Sequence, residues 1–380
     1  FGDSARTSRS GAPSPPWAAG SARRFGDSAA RTNAGGGSVG AMAKADHGEP
    51  LDLDADGRTV TITSPDKVMF PERGETKADL ARYYLAVGGP LMRTVRDRPT
   101  LLQRFPNGVT GKSFFQKRIP DSAPDWLRTT TVSTPNGTES RAIVMADLAH
   151  VLWAANQGCL GFHPWPHRAD DPGRTDELRI DLDPSPGVTF EMVREAAAVA
   201  RDLLEAEGLR PLPKTSGNRG LHLYARVAPG WDSIDVRQAA VAVAREMEHR
   251  RPDLVTAAWW KEERGPRVFV DFNQNAPHKT VFGAWCVRSR VGAQVSTPFG
   301  WDELATIAPD ELTIATVPDR VEAGGDPWAG IDDGAASIEP LLERFRSDLA
   351  AGVPDAPWPP VYPKMPDEAP RVAPSRAKRD

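Results

Sequence analysis

The sequence predicts an α/β (α+β) fold with mixed sheets, in which helices lie between strands and several strands return directly as hairpins. Apolar and charged side chains alternate over 177–184, the period of a strand with one buried face. Two long helices are predicted, one alanine-rich over about 189–207 and one over about 233–250. Gly and Pro turns such as Pro106-Asn107-Gly108 separate the strands between them.

The other predicted elements follow in chain order. Thr76 is the predicted N-cap of a helix that presents Leu80, Tyr83 and Tyr84 on one face. The remaining predicted strands are 59–63, 101–105, 160–163, 221–227, 267–272 and 281–287, the last as the hairpin partner of 267–272. The remaining predicted helices are 147–157 and 337–349.

Composition limits the classes of protein that this chain can belong to. It has 380 residues, of which 39% are hydrophobic and 26% charged, which is typical of a soluble globular protein. No run of 18 apolar residues predicts a membrane span, and residues 1–41 lack the basic start and apolar core of a secretory signal. The only cysteines, Cys159 and Cys286, form no CxxC motif, so we expect a reducing cytoplasm.

Both chain ends have compositions that differ from the middle. Residues 1–49 are rich in Ala, Gly, Ser and Arg, and we expect a disordered arm there. Residues 352–380 are proline-rich and predict a second disordered segment. Between them, 50–351 is the expected folded domain, with an N-terminal module over about 50–150 and a catalytic core over about 151–315.

Charge is distributed unevenly along the chain. The net charge of −4 argues against a general nucleic-acid coat protein. Between Arg93 and Arg128, however, eight Lys or Arg face three Asp, and aromatic residues are interspersed among them. Such a patch suits a polyanionic partner.

Two aspartates end the 177–184 strand. Asp181 and Asp183 point to the same side, about 6–7 Å apart, just before Pro184. Because like charges side by side repel, a proton or a cation is expected between them, and Mg²⁺ or Mn²⁺ prefers oxygen ligands. The alternative is a pair of solvated carboxylates before a turn. Asp271 ends another apolar strand, and three such aspartates would suit two-cation phosphoryl or nucleotidyl transfer.

A glycine-rich segment at 214–224 supplies possible phosphate ligands. Its glycines allow a tight turn in which Ser216 and backbone amides could hold phosphate oxygens, and Arg219 adds a positive charge. His222 alternates with leucines and therefore faces away from the apolar side. The alternative is a glycine-rich hairpin that carries a surface histidine.

These motifs, in this order, closely resemble the polymerase domain of bacterial ligases for non-homologous end joining, which belongs to the archaeo-eukaryotic primase superfamily. The resemblance covers about 58–315. It rests on DLDP at 181–184, TSGNRGLHLY at 215–224, VFVDFNQN at 268–275, SPDKVMFP at 64–71, RFPNG at 104–108 and LGFHPW at 160–165.

The resemblance implies an archaeo-eukaryotic primase-like catalytic core with a packed N-terminal module, and a role for each matching residue. It implies metal-binding catalytic acids at Asp181, Asp183 and Asp271. The incoming nucleotide would be held by Ser216, Arg219, His222, His163 and Arg288, with His163 near the sugar. Lys67 and Lys77 would bind a DNA 5′ phosphate, and the template contacts would be Arg104, Asn107, Phe114 and Phe115.

The implied activity is addition of ribonucleotides or deoxyribonucleotides to primer 3′ ends at DNA gaps and breaks, with Mn²⁺ or Mg²⁺. Implied partners are gapped or broken DNA with a 5′ phosphate, NTP or dNTP, Ku and a separate ATP-dependent ligase, near the bacterial nucleoid. The ligase motif KxDG is not matched by Lys44-Ala45-Asp46-His47, so we expect a stand-alone polymerase. The alternatives are a metal-dependent phosphodiesterase, which needs no triphosphate site, and a non-catalytic DNA-end binder, which needs no carboxylate triad.

Overall fold

The computed structural model describes residues 47–365 and 368–369, so the predicted arm lies outside the described residues up to position 46. The described residues combine helices with mixed sheets, which confirms the predicted fold class. Among them, no helix is long and apolar enough to cross a membrane.

The first half of the described chain is built mainly from antiparallel strands. Its strands are β1 (Leu51–Ala55), β2 (Arg58–Ile62), β3 (Val68–Phe70), β4 (Glu75–Thr76), β5 (Pro99–Arg104), β6 (Phe114–Gln116), β7 (Thr129–Ser133), β8 (Glu139–Val144) and β9 (Cys159–Pro164). Its helices are α1 (Lys77–Ala86), α2 (Gly88–Val95) and α3 (Leu148–Asn156). Strands β5 to β9 form one sheet, in which β9 lies along the free side of β5.

The second half contains the sheet that carries the predicted acids. Its strands are β10 (Glu177–Pro184), β11 (Leu212–Thr215), β12 (Leu221–Arg226), β13 (Val255–Thr256) and β14 (Val268–Val270). Its helices are α4 (Phe190–Ala206), α5 (Ser233–Arg250), α6 (Lys261–Arg264), α7 (Val317–Gly324) and α8 (Glu339–Ala350). The strand order is β11-β12-β10-β14-β13, antiparallel except for the last pair.

Strand β10 alternates as the sequence predicts. Leu178, Ile180 and Leu182 are buried in the core together with apolar residues of α4 and α5. Because side chains alternate along a strand, Asp181 and Asp183 lie on the opposite face of the sheet. That face holds the candidate active site.

The N-termini of three helices lie where the sequence predicts them. Thr76 caps α1 in a capping box with Asp79, in which the Thr76 side chain accepts from the Asp79 amide. Asp147 and Thr189 cap α3 and α4 in the same way, each accepting from a backbone amide of the first turn. Local sequence therefore sets where these helices begin.

A buried cluster of charges joins the two halves. The Glu177 carboxylate of β10 forms ion pairs with Arg98, Arg179 and Arg226, and all four side chains are buried. Arg98 precedes β5, and its Nη2 lies 2.9 Å from Glu177 Oε1. The pKa of Glu177 is lowered to about 2, because the three guanidinium charges outweigh the effect of burial. This carboxylate therefore fixes the two sheets to each other.

The predicted hairpin at 281–287 is wrong. Strand β14 pairs with β10 and β13 instead, and 281–287 forms no strand. The backbone of this segment makes isolated hydrogen bonds instead of a strand ladder, such as the one that the Trp285 amide donates to the Ser296 carbonyl oxygen. Trp285 has a φ of 62°, which breaks the extended backbone that a strand requires.

The predicted disordered tail is also wrong for its first part. Trp358 is 2% exposed and packs on the Arg237 guanidinium, 3.9 Å from ring centroid to Cζ. Arg237 Nη1 lies 3.0 Å from Asp355 Oδ1, which gives this buried cation a carboxylate partner. Aromatic burial and charge neutralisation thus hold a proline-rich segment whose backbone is already stiff. Residues 366–367 and 370–380 lie outside the described residues.

Candidate active site

The three predicted acids lie at one end of the second sheet. Asp181 and Asp183 are on the face of β10 that points away from α4 and α5, and Asp271 follows β14, the antiparallel neighbour of β10. The backbone amide of Asp271 donates to the carbonyl oxygen of Asp181 over 2.9 Å. Its carboxylate accepts from the Asn273 amide and from Gln274 Nε2, at 3.1 and 2.8 Å.

Burial and neighbouring charges change the pKa values of these carboxylates. The pKa of Asp181 is raised to about 8, first by burial and then by the charges of Asp271 and Asp183. Lys214 and Arg288 act in the opposite direction. Burial also raises the pKa of Asp271. Carboxylates that resist ionisation together are relieved by a bound proton or cation.

The donor set fits a hard divalent cation, because it consists of carboxylate oxygens that disfavour each other's charge. Within residues 47–365 and 368–369, no three or more His, Cys, Asp or Glu side chains are arranged so that together they could hold a metal ion in this structure. In the part of the chain described, the three aspartates therefore offer carboxylate oxygens from two adjacent strands but do not form a preformed metal site.

A polar row crosses the sheet beside Asp181. Lys214 of β11 is opposite His222 of β12, and His222 is opposite Asp181 of β10. His222 Nε2 lies 3.3 Å from Asp181 Oδ1. Burial lowers the pKa of His222 well below its usual value, as do the nearby cations Lys214 and Arg288, so the imidazole is neutral.

The glycine-rich turn between β11 and β12 is closed by its own serine. Ser216 Oγ accepts from the amides of Asn218 and Gly220, at 3.2 and 3.1 Å. A Cβ at Gly220 would lie 2.5 Å from the carbonyl oxygen of Leu182, so glycine allows the turn to approach the acidic strand. The turn is thus held rigidly beside the carboxylates.

Arg288 comes from a later part of the chain and contacts this turn. Its Nε donates to the carbonyl oxygen of Ser216 over 2.7 Å, and burial lowers its pKa to about 10, so it remains charged. Arg219 is exposed and reaches the Pro184 carbonyl oxygen at 3.4 Å. The structure therefore brings Ser216, His222 and Arg288 together beside the acids and places Arg219 at the edge.

His163 of β9 faces the same site from the other sheet. Burial and the charges of Arg288 and Lys214 lower its pKa to about 3, so it is neutral. Its Nε2 is shielded from solvent and has no hydrogen-bond partner among the described residues. A buried polar atom of this kind is a candidate ligand contact.

The two predicted phosphate-binding lysines are neighbours. The Lys77 amide donates to the Lys67 carbonyl oxygen over 2.8 Å at the start of α1. Lys77 Nζ donates to Asn156 Oδ1 at 3.1 Å, and Lys67 Nζ donates to Asn107 Oδ1 at 3.2 Å. Burial and then the charge of Lys67 lower the pKa of Lys77 to about 8. Asn107, predicted to contact the template, thus lies with the lysines.

The other predicted template residues form an aromatic surface. Phe114 and Phe115 of β6 are 47% and 56% exposed, unusually high for adjacent phenylalanines. The Arg104 guanidinium lies over the Phe114 ring, 5.2 Å from its centroid, and its Nε donates to the Gln157 carbonyl oxygen over 2.8 Å. A flat aromatic surface beside a cation suits a nucleobase.

Comparison with known proteins assigns the family. The family model described as "LigD, primase-polymerase domain" matches residues 76–328, about two thirds of the chain. The chain belongs to the LigD primase-polymerase domain family. LigD polymerase domains are metal-dependent nucleotidyltransferases, which confirms the predicted enzyme class.

Two curated relatives and one solved structure agree with this assignment. The multifunctional non-homologous end joining protein LigD of Mycolicibacterium smegmatis is 35% identical over 307 residues, 80% of this chain and 40% of the relative. The bifunctional LigD of Bacillus subtilis is 32% identical over 269 residues, 70% and 43% of the two chains. The polymerase domain from Mycobacterium tuberculosis Ligase D in complex with DNA is 34% identical, with a TM-score of 0.69, and the match covers 73% of this chain and 99% of that one.

These matches confirm the resemblance and the primase-like fold, and they define the extent of the match. The chain spans about 40% of the length of the curated LigD relatives that it matches. The solved structure matches over nearly all of its own length.

Two further cations lie near the three aspartates of the candidate site. Lys214 lies at the start of the glycine-rich segment, and its register opposite His222 places it near Asp181, a role that the sequence did not predict. Arg264 lies near Asp183 and Asp271; burial lowers its pKa, whereas those two carboxylates raise it. The position of Lys214 two residues before Ser216 is a sequence feature that could have indicated it. Arg264 lies in the short helix α6, and no sequence pattern indicates its place near the site.

Proposed function

We propose that this chain is a template-directed polymerase that adds ribonucleotides or deoxyribonucleotides to primer 3′ ends at DNA gaps and double-strand breaks. The observation that carries the proposal is the position of Asp181, Asp183 and Asp271 beside the Ser216, His222 and Arg288 cluster, at one end of one sheet. A nucleotidyl transferase needs both groups together, because the reaction joins a 3′ oxygen to a triphosphate.

The acidic and the basic residues of the site have different proposed roles. Asp181, Asp183 and Asp271 would hold Mn²⁺ or Mg²⁺, which when bound supplies Lewis-acid stabilisation of the attacking and leaving oxygens. Arg288 offers a fixed positive charge to the triphosphate of NTP or dNTP, anchored through the Ser216 carbonyl oxygen. Ser216, Arg219 and His222 line the same side of the site.

DNA is proposed to cross the face of the N-terminal module. Phe114 and Phe115, with Arg104 behind them, offer the template a stacking surface. Lys67 and Lys77 form a paired positive site for a 5′ phosphate at the start of α1, where the positive end of the helix dipole also favours an anion. A gap or break end that carries a 5′ phosphate would engage both surfaces.

The biological setting is proposed from the relatives, which are bacterial proteins named for non-homologous end joining. On that basis the chain acts at the bacterial nucleoid, with Ku and an ATP-dependent ligase as partners. We assign the activity to about 50–351, with an N-terminal module over about 50–150 and a catalytic core over about 151–315.

One assay separates this proposal from its two rivals. A 5′-labelled primer annealed to a template is incubated with NTP or dNTP and Mn²⁺ or Mg²⁺. The proposal predicts extension that requires both nucleotide and cation. Shortening of the primer would instead indicate a phosphodiesterase, and a mobility shift of the DNA without either product would indicate an end-binding protein.

A further inference from the structure

A continuous set of ring contacts links the aromatic DNA surface to the glycine-rich turn. The rings of Phe115 and His163 meet edge to face, with centroids 5.3 Å apart and planes at 83°. His163 meets Phe282 in the same way, at 5.1 Å and 81°. The Arg288 guanidinium lies over the Phe282 ring, with Cζ 3.7 Å from the centroid.

Phe282 is seated closely against β9. It is buried, and a Cβ at Gly161 would lie 2.3 Å from its Cε2, so only glycine at 161 leaves room for the ring. The next residue, Gly283, donates its amide to the Phe162 carbonyl oxygen over 2.9 Å. The ring is therefore fixed to the strand that carries His163, although it comes from an irregular loop.

We propose that Phe282 is a positioning residue of the polymerase site. Its ring holds His163 on one side and Arg288 on the other, so that both face the incoming nucleotide. This inference rests on the proposed function for the role of the two residues that Phe282 holds. Edge-to-face and cation–π contacts each restrict the orientation of the partner group.

The unpartnered nitrogen of His163 supports the inference. Nε2 is shielded from solvent and bonds to no described residue, so its orientation has no hydrogen bond to fix it. Among the described residues, the aromatic ring contacts of the imidazole are those with Phe115 and Phe282, and Phe115 is more than half exposed. Phe282 is thus the buried member of the pair, and its loss would leave the imidazole free to reorient.

The kinetic test compares Phe282→Leu with Phe345→Leu, a buried phenylalanine on α8. Phe282→Met, which also removes the ring but keeps a flexible side chain, is measured in parallel. We expect both position-282 variants to raise KM for NTP about tenfold, with kcat changed by less than about threefold. Phe345→Leu should leave both constants unchanged. An unchanged KM in both position-282 variants would overturn the proposal.

A double-mutant cycle tests whether Phe282 acts through His163. We expect the combined His163→Ala and Phe282→Leu variant to lose less in kcat/KM than the product of the two single losses. Losses that multiply as independent effects would show that Phe282 does not act on the imidazole.

The histidine resonances test positioning without any activity. In wild-type protein the His163 imidazole lies against two aromatic rings, so Phe282→Leu should shift and broaden the His163 ring-proton signals but leave those of His249 unchanged. An unshifted His163 signal would overturn the inference whether or not nucleotides are added. If the wild-type chain extends no primer, the proposed function fails, and this measurement still decides the role of Phe282.

Discussion

The backbone amide of Asp271 donates to the carbonyl oxygen of Asp181, which holds two carboxylates from adjacent strands at one end of a sheet. Their main chains cannot separate without breaking this ladder, and the pKa of Asp181 is raised by burial and then by the charges of Asp271 and Asp183. The same hydrogen bond keeps Asp271 in reach of any cation that Asp181 binds.

The Lys67 and Lys77 pair should give the protein a preference for phosphorylated gaps. Replacing both with alanine removes two positive charges near the first turn of α1. We expect loss of the preference for a 5′-phosphorylated gap over a hydroxyl-ended one, with much less change on a simple primer overhang. Binding and extension are measured on matched DNAs at one salt concentration, because phosphate contacts weaken with salt. A double variant that keeps the wild-type preference would contradict the assignment.

The phosphate preference should also depend on pH through Lys77. Its pKa of about 8 in the free protein means that the ammonium is charged below that pH and loses its proton above it. Affinity for the 5′-phosphorylated gap should therefore fall as the pH rises through about 8. Lys77→Arg stays charged, so its affinity should change far less over the same pH range. Parallel pH profiles for wild type and Lys77→Arg would refute the role of Lys77.

Ribonucleotides should be incorporated at least as well as deoxyribonucleotides. We expect polar atoms of His163 and Ser216 to contact the 2′ hydroxyl, and a site built in this way penalises a substrate without the hydroxyl. We expect His163→Ala to reduce NTP incorporation more than dNTP incorporation. Single-nucleotide incorporation rates for matched NTP and dNTP pairs give the ratio. A strong wild-type preference for dNTP would disprove the prediction.

The buried carboxylate of Glu177 should matter for stability. Glu177→Gln removes the one carboxylate that Arg98, Arg179 and Arg226 all contact, and breaking a buried pair costs about 3–5 kcal/mol. The free energy of unfolding, measured in urea, should fall by that order. Asp121→Asn removes an exposed partner of Arg118 and should change it by less than about 1 kcal/mol. Equal losses in the two variants would mean that the network does not hold the halves together.

Sequence patterns located the parts whose structure is set locally. The alternation of 177–184 gave β10 and the side on which its acids lie, and Thr76 gave the start of α1. The strand predicted at 281–287 is wrong because Trp285 adopts a left-handed backbone conformation that the sequence does not indicate. The buried stretch around Trp358 was missed because its packing depends on Arg237, far away in the sequence. The motif resemblance indicated which residues form the site, but the contact between His163 and Phe282 arises only when the two sheets meet.

The central claim is that Asp181, Asp183 and Asp271 form the catalytic centre of a polymerase. The most direct measurement is cation-dependent primer extension by Asp183→Asn, with Asp202→Asn, an exposed aspartate of α4, as the matched control. Because Asn keeps the shape but removes the charge that binds the cation, we expect extension to fall by at least about a hundredfold while DNA binding stays near wild type. Asp202→Asn should behave as wild type. Extension by Asp183→Asn at a rate close to that of the control would contradict the account.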